Sequence, residues 1–169
     1  MQDIERMFTQ ALELVKQCGE LLKKVDYNKD VHRKSDGSLV TNYDLIIDEK
    51  LTKGLKAIYN IPVLSEEHKE EYKDTYFVID PIDGTHNFSR GFECFGIMVA
   101  LVEKEKTVFS IIELPLLNKI YTAIKGKGAY LNREKNKGKT IWRKIHRKCK
   151  YKCNELDKRI EKKWLYIWI

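Results

Sequence analysis

Apolar residues recur at three- and four-residue steps through Ile4, Met7, Phe8, Ala11, Leu12, Val15, Cys18, Leu22 and Val25. That spacing predicts one amphipathic helix over residues 4–25. Residues 26–38 are polar and read as a loop, with Asp36-Gly37 as a turn signal. Leu39-Val40-Thr41 reads as a short extended piece. Thr41 or Asn42 suits a helix N-cap, with Asp44 in the first turn. The helix it opens should run to about Tyr59, with Ile47, Leu51, Leu55 and Ile58 on one side. Ile61–Leu64, started by Pro62, predicts a strand that stops at Ser65-Glu66-Glu67. After a charged loop, Tyr76–Ile79 predicts a second strand, halted at Asp80, and Gly84-Thr85 a turn or helix start. Residues 94–103, 107–113 and 119–124 predict three more strands, and Lys125–Gly128 a tight turn into Ala129-Tyr130-Leu131. Two helices followed by a run of strands point to an α+β fold.

With 169 residues the chain suits one domain that buries its own core without disulfide or metal staples. Its longest apolar runs, Ile97–Val102 and Trp164–Ile169, fall well short of the roughly 20 residues that a spanning helix needs. The opening MQDIERMF lacks an apolar stretch, so no signal peptide is expected. Four scattered cysteines then suggest free thiols in a reducing cytoplasm. Charge divides the chain. Residues 1–132 hold 18 Lys and Arg against 21 Asp and Glu, whereas residues 133–169 hold 14 against 4. The net +7 therefore belongs to the tail, which also holds all three tryptophans. A domain boundary is expected at about residue 132, where the hydrophobic period vanishes.

The densest chemical signal is Asp80-Pro81-Ile82-Asp83-Gly84-Thr85. With Glu66 it places three acids at predicted strand ends, where a scaffold of this class aims side chains at one crevice. Carboxylates suit Mg²⁺, and the carbonyl of Ile82 stands between two of them. Gly84 would let a phosphate oxygen approach the backbone, and N–H groups at a following helix start would favour that anion. Asp-Pro and Asp-Gly are also ordinary turn dipeptides, so the motif taken alone reads as structural.

DPIDGTHNF follows PVLSEE and KSDGSLVTNYD, and precedes GIMVALVEKEKTVFSIIELPLLNKIYTAIKGKGAYLN. Over about residues 5–132 this resembles the inositol monophosphatase superfamily of Mg²⁺-dependent, lithium-sensitive phosphomonoesterases. The resemblance implies the N-terminal part of a layered α/β sandwich of the sugar-phosphatase type, two helices plus a mainly antiparallel sheet. It implies two or more Mg²⁺ ions, with Glu66 as a ligand of the first metal and of a water. Asp80 would bridge two metals, Ile82 would add its carbonyl, and Asp83 would bind the second. Glu66, Ile82, Asp83, Gly84 and Thr85 would line the substrate phosphate. Thr85 would orient the attacking water and Asp44 would pair with Thr85. Lys34 matches a basic position near the site, and His86 is either a substrate contact or an exposed spacer. The reaction implied is in-line attack of water on a small phosphorylated substrate. PVLSEE and DGSLVT look more like 3'(2'),5'-bisphosphate nucleotidases of the CysQ type, and THNF like inositol monophosphatases. The nucleotidase is favoured, with inositol-1-monophosphatase and a non-catalytic metal- or phosphate-binding remnant as alternatives. Members are often dimers, so a homodimer is a further option.

The resemblance stops near residue 132. The superfamily's Trp-Asp motif, whose Asp completes the second metal site, has no counterpart: Trp142 precedes Arg143, Trp164 precedes Leu165 and Trp168 precedes Ile169. The expectation is a truncated, impaired enzyme whose residues 133–169 are non-homologous, with the look of out-of-frame translation from A-rich DNA. As a genuine tail they would dock nucleic acid, or an anionic membrane at its inner face, and both are weaker readings. His146, Cys149 and Cys153 offer three soft ligands where a structural zinc site usually takes four. Cys18, Cys94, Met7, Phe8, Phe77, Phe95 and Met98 are expected in the core.

Overall fold

The computed structural model describes residues 2–25, 31–33, 39–68, 70–71 and 73–135. Lys34, the Asp36-Gly37 turn and the soft ligands and tryptophans of the tail lie outside the described residues. Helix α1, Gln2–Leu22, ends a turn earlier than the periodicity suggests and buries Met7, Ala11, Val15, Cys18 and Leu22 along one stripe. Helix α2, Asn42–Ile58, has Thr41 as N-cap and Asp44 at the third position in a capping box. Its buried face starts with two acids, Asp44 and Asp48, and continues with Ile47, Leu51 and Leu55. The two helices pack where Gly54 lets the Leu14 side chain approach; a Cβ there would stand 2.5 Å from a Leu14 methyl carbon.

Both helices lie against a seven-stranded sheet. In spatial order it runs β3 (Val63–Ser65), β4 (Thr75–Asp83), β5 (Gly96–Glu103), β6 (Lys106–Leu114), β7 (Lys119–Ile124), β8 (Gly128–Leu131) and β9 (Glu134–Lys135). Among the described residues only the β3–β4 pair is parallel. Alternation sorts its side chains: Phe77, Ile79, Ile97, Val99, Leu101, Phe109 and Ile111 join the helix-side core. Met98 and Ala100 point the other way, packed by Val78 and Ile112. The arrangement is α+β, two long helices on a mainly antiparallel sheet.

Several boundaries differ from the sequence reading. A small hairpin pairs β1 (Val31–Arg33) with β2 (Leu39–Thr41), so the stretch read wholly as loop contains a strand. Strand β3 starts at Val63, after Pro62. Strand β4 does not stop at Asp80 but runs through Pro81 to Asp83. Its register with β5 shifts between Asp80 and Asp83, because proline has no N–H to give the ladder and is accommodated at an irregularity. Asp80 therefore stands inside a strand, not at its end. The sheet also continues past residue 132, through β9. Cys18 is buried, but Cys94 is only half-buried, since it lies on the approach to β5 rather than within the core-facing alternation. Phe8, likewise half-buried, packs edge-on against Phe109 from the rim of the core.

Candidate active site

Three segments meet at one end of the sheet: the first turns of α2, the loop after β3, and the turn from β4 into the short helix α3 (Thr85–Phe88). Gly84 sits between β4 and α3 with φ of 87°, and a Cβ there would come 3.1 Å from the Cys94 carbonyl oxygen. Both observations require glycine. Phe88, fully buried, stacks edge-on against Phe95 at 5.0 Å and Tyr43 at 5.8 Å. The Asn87 amide donates to the Cys94 carbonyl at 2.6 Å. These contacts seat α3 and with it Thr85.

The Thr85 hydroxyl lies 3.2 Å from Asp44 Oδ1 and 3.1 Å from the Ile82 carbonyl oxygen, so its single proton serves one of them at a time. Asp44 is 2% exposed. Its Oδ2 accepts from the Thr41 backbone N–H at 2.7 Å and from the Thr41 hydroxyl at 2.5 Å. Burial raises the Asp44 carboxyl above the ordinary range, while the Thr41 and Thr85 donors pull it back and the Glu67 charge adds to the rise. Asp83 is half-buried at the end of β4. Desolvation first, then the negative charge of Glu66, push its carboxyl up to about 7. Glu66 itself is exposed. Thus Asp44, Thr85 and Ile82 meet through hydrogen bonds, and Glu66 and Asp83 are near enough to repel. Asp80 is half-buried inside β4, and His86 is exposed on α3. Among the described residues, no three His, Cys, Asp or Glu side chains converge as a preformed metal cage.

Whether these residues fit Mg²⁺ is decided by their chemistry. The donors are carboxylates and one backbone carbonyl, the hard oxygens that Mg²⁺ prefers. The negative charge of Glu66 also acts on Asp83, and a cation between them would relieve that repulsion.

Asp48 is absent from the sequence candidates. It is 9% exposed, and its carboxylate takes the Ser65 hydroxyl on Oδ1 and faces His68 Nδ1 at 2.8 Å on Oδ2. The available signal was its place four residues after Asp44, on the same helix face.

Comparison with known proteins identifies the family and the fold. The family model described as "Inositol monophosphatase family" matches residues 3–162, past the boundary expected at 132. The CysQ 3'(2'),5'-bisphosphate nucleotidase of Haemophilus influenzae is 36% identical over 136 residues, which are 75% of this chain and 50% of that protein. An inositol monophosphatase of Dictyostelium discoideum is 33% identical over 140 residues, 78% of this chain and 51% of that protein. The chain thus spans about half the length of the curated relatives it matches. The solved structure of an IMPase/NADP phosphatase complexed with Mg²⁺ and phosphate superposes with a TM-score of 0.71 at 25% identity, covering 78% of this chain and 52% of that one. No helix among the described residues is long and apolar enough to cross a membrane.

Proposed function

The chain belongs to the inositol monophosphatase family, and from that premise we propose that it carries the metal- and phosphate-binding half of a Mg²⁺-dependent phosphomonoesterase site. The observation that carries this reading is the Asp44–Thr85 pair: a threonine hydroxyl held by a buried carboxylate beside the Ile82 carbonyl. When the Thr85 hydroxyl donates its hydrogen bond to Asp44, its lone pairs can accept a hydrogen bond from a water. Thr41 supplies two donors to the other Asp44 oxygen, which favour its ionised form against the cost of burial. Glu66 lies across from Asp83 and would fix a second proton of the same water. Glu66, Asp80, Asp83 and the Ile82 carbonyl would hold Mg²⁺, which supplies charge stabilisation and an acidified water when bound. Gly84 and Thr85 would hold the phosphate, while the side of Gly84 that a Cβ would fill is taken by the Cys94–Phe95 backbone rather than open to a ligand.

A nucleoside 3',5'-bisphosphate is the favoured substrate, supported by the similarity to CysQ nucleotidases and by the PVLSEE segment. An inositol phosphate is the second reading, supported by the Dictyostelium relative and by THNF. The stretch matches about half of each relative, and we expect measurable Mg²⁺ binding from it. The test is phosphate release from adenosine 3',5'-bisphosphate and from inositol 1-phosphate, with and without Mg²⁺. Asp80→Asn should remove nearly all Mg²⁺-dependent release. Release that survives Asp80→Asn overturns the site assignment, and a flat signal in the unsubstituted chain favours the non-catalytic metal-binding remnant.

A further inference from the structure

We propose that Asp48, acting through Ser65 and His68, is a positioning residue that sets the Glu66 loop against the Asp83 end of β4; the proposal rests on the reading of Glu66 as a metal ligand. Asp48 lies one helical turn beyond Asp44, and both are buried on the same face of α2. The first acid holds Thr85. The second holds the loop after β3 at two points. Its Oδ1 accepts the Ser65 hydroxyl, and its Oδ2, 2.8 Å from His68 Nδ1, accepts that ring proton.

The loop is closed on itself between those two points. The Ser65 N–H donates to the His68 carbonyl at 3.2 Å, and the Ser65 oxygen accepts the Glu67 N–H at 3.1 Å. Glu66 is therefore carried between two residues whose positions descend from one buried carboxylate. The outer side of the loop is tied to the same helix, because Glu70 pairs with Lys56 at 2.5 Å and accepts the Val63 N–H at 3.3 Å. Helix α2 thus works as a ruler: two carboxylates four residues apart, roughly 5–6 Å between their Cβ atoms, hold the Thr85 turn and the Glu66 loop at a set separation.

A Ser-His-Asp composition suggests a nucleophile, but the hydrogen bonds say otherwise. The Ser65 proton goes to Asp48 and not to His68, so no base is aligned on the serine oxygen. Both partners converge on the carboxylate. That pattern fixes a loop; it does not activate a hydroxyl. Groups that support metal ligands in this way typically alter metal affinity about 10–100-fold when removed.

The experiment compares the full chain with Asp48→Ala, Asp48→Asn, His68→Ala and Glu66→Gln. Mg²⁺ affinity is measured by calorimetry, amide exchange at residues 66–68 by mass spectrometry, and Tm by scanning calorimetry. Asp48→Ala should weaken Mg²⁺ binding about tenfold and remove the protection of the Glu67 amide. Asp48→Asn should restore most of both, since a carboxamide still accepts from Ser65 and can donate to the other tautomer of His68. His68→Ala should fall between them, and carries the test together with Asp48→Asn if Asp48→Ala does not fold. Loss of Glu67 protection with Mg²⁺ affinity unchanged within twofold overturns the positioning role alone, provided Glu66→Gln weakens binding. An unsubstituted chain that binds no Mg²⁺, or Glu66→Gln binding like the unsubstituted chain, overturns the metal reading of Glu66 and this inference with it.

Discussion

Asp44 and Glu113 are both buried acids, 2% and 5% exposed, and their surroundings could hardly differ more. Asp44 sits where a helix begins, and helix starts leave N–H groups in need of acceptors. It takes the Thr41 N–H and hydroxyl and faces Thr85. Glu113 points from β6 into the seam with α1, against Gly19, and its Oε2 has no hydrogen-bond partner among the described residues. Burial pushes its carboxyl up to about 7, with Lys23 and Lys16 pulling down and Glu20 pushing up. Burial pushes both carboxyls up; at Asp44 hydrogen-bond donors from Thr41 and Thr85 pull back, whereas at Glu113 only the charges of Lys23 and Lys16 do.

The contrast breaks most visibly at Asp44. Asp44→Ala strips two donors of their acceptor in a buried place, and a loss of about 3 kcal/mol in urea unfolding is expected. Asp44→Asn, which keeps an oxygen toward Thr41, should lose less than half of that. Equal losses would mean that the charge, not the acceptor geometry, holds the helix start.

The second test is pH. The native carboxyl of Glu113 titrates above its ordinary 4.5, at about 7, so between those values the native state binds more protons than the unfolded one. Its stabilising contribution is complete below about pH 4.5 and is lost as pH rises through about 7. The loss should be on the order of 2–3 kcal/mol. Glu113→Gln should remove that part of the slope, seen as a smaller fall in unfolding free energy from pH 4.5 to 8. An unchanged slope would place the titration elsewhere, Asp83 being the next candidate.

The smallest effect sharpens the packing side of the comparison. A Cβ at Gly19 would stand 2.5 Å from the Glu113 carboxylate atoms. Gly19→Ala should destabilise by about 1–2 kcal/mol, and in a Glu113→Ala background the same change should be neutral or favourable. Additive effects in the double variant would show that the two groups do not meet.

Local rules read from the residues account for much of what is seen. The stripe Met7–Leu22, the Thr41–Asp44 capping box, the five strands from Val63 to Ile124 and the turn at Gly84 follow from period, caps and glycine, all of which act within a few residues. The DPIDGT segment and Asp44 were legible as candidates because a motif keeps its spacing in the chain. The misreadings share a cause. The sequence puts a strand end at Asp80, yet neighbouring β5 holds β4 in the sheet through the register shift. Val31–Arg33 looked like loop because only its partner β2 makes it a strand. Asp48 and His68 were passed over because twenty residues separate them, and nothing local says that one will meet the other.

What the sequence determined alone, then, is the set of elements and the chemical vocabulary of the site. Tertiary structure decided which words are joined: Asp44 to Thr85, Glu66 near Asp83, Asp48 to Ser65 and His68, and Glu113 to the Gly19 face of α1. The physical reason is range. Backbone preference and amphipathic period act over a turn or two of chain, whereas the burial of a charge and the hydrogen bonds that compensate it depend on what the fold brings from far along the sequence.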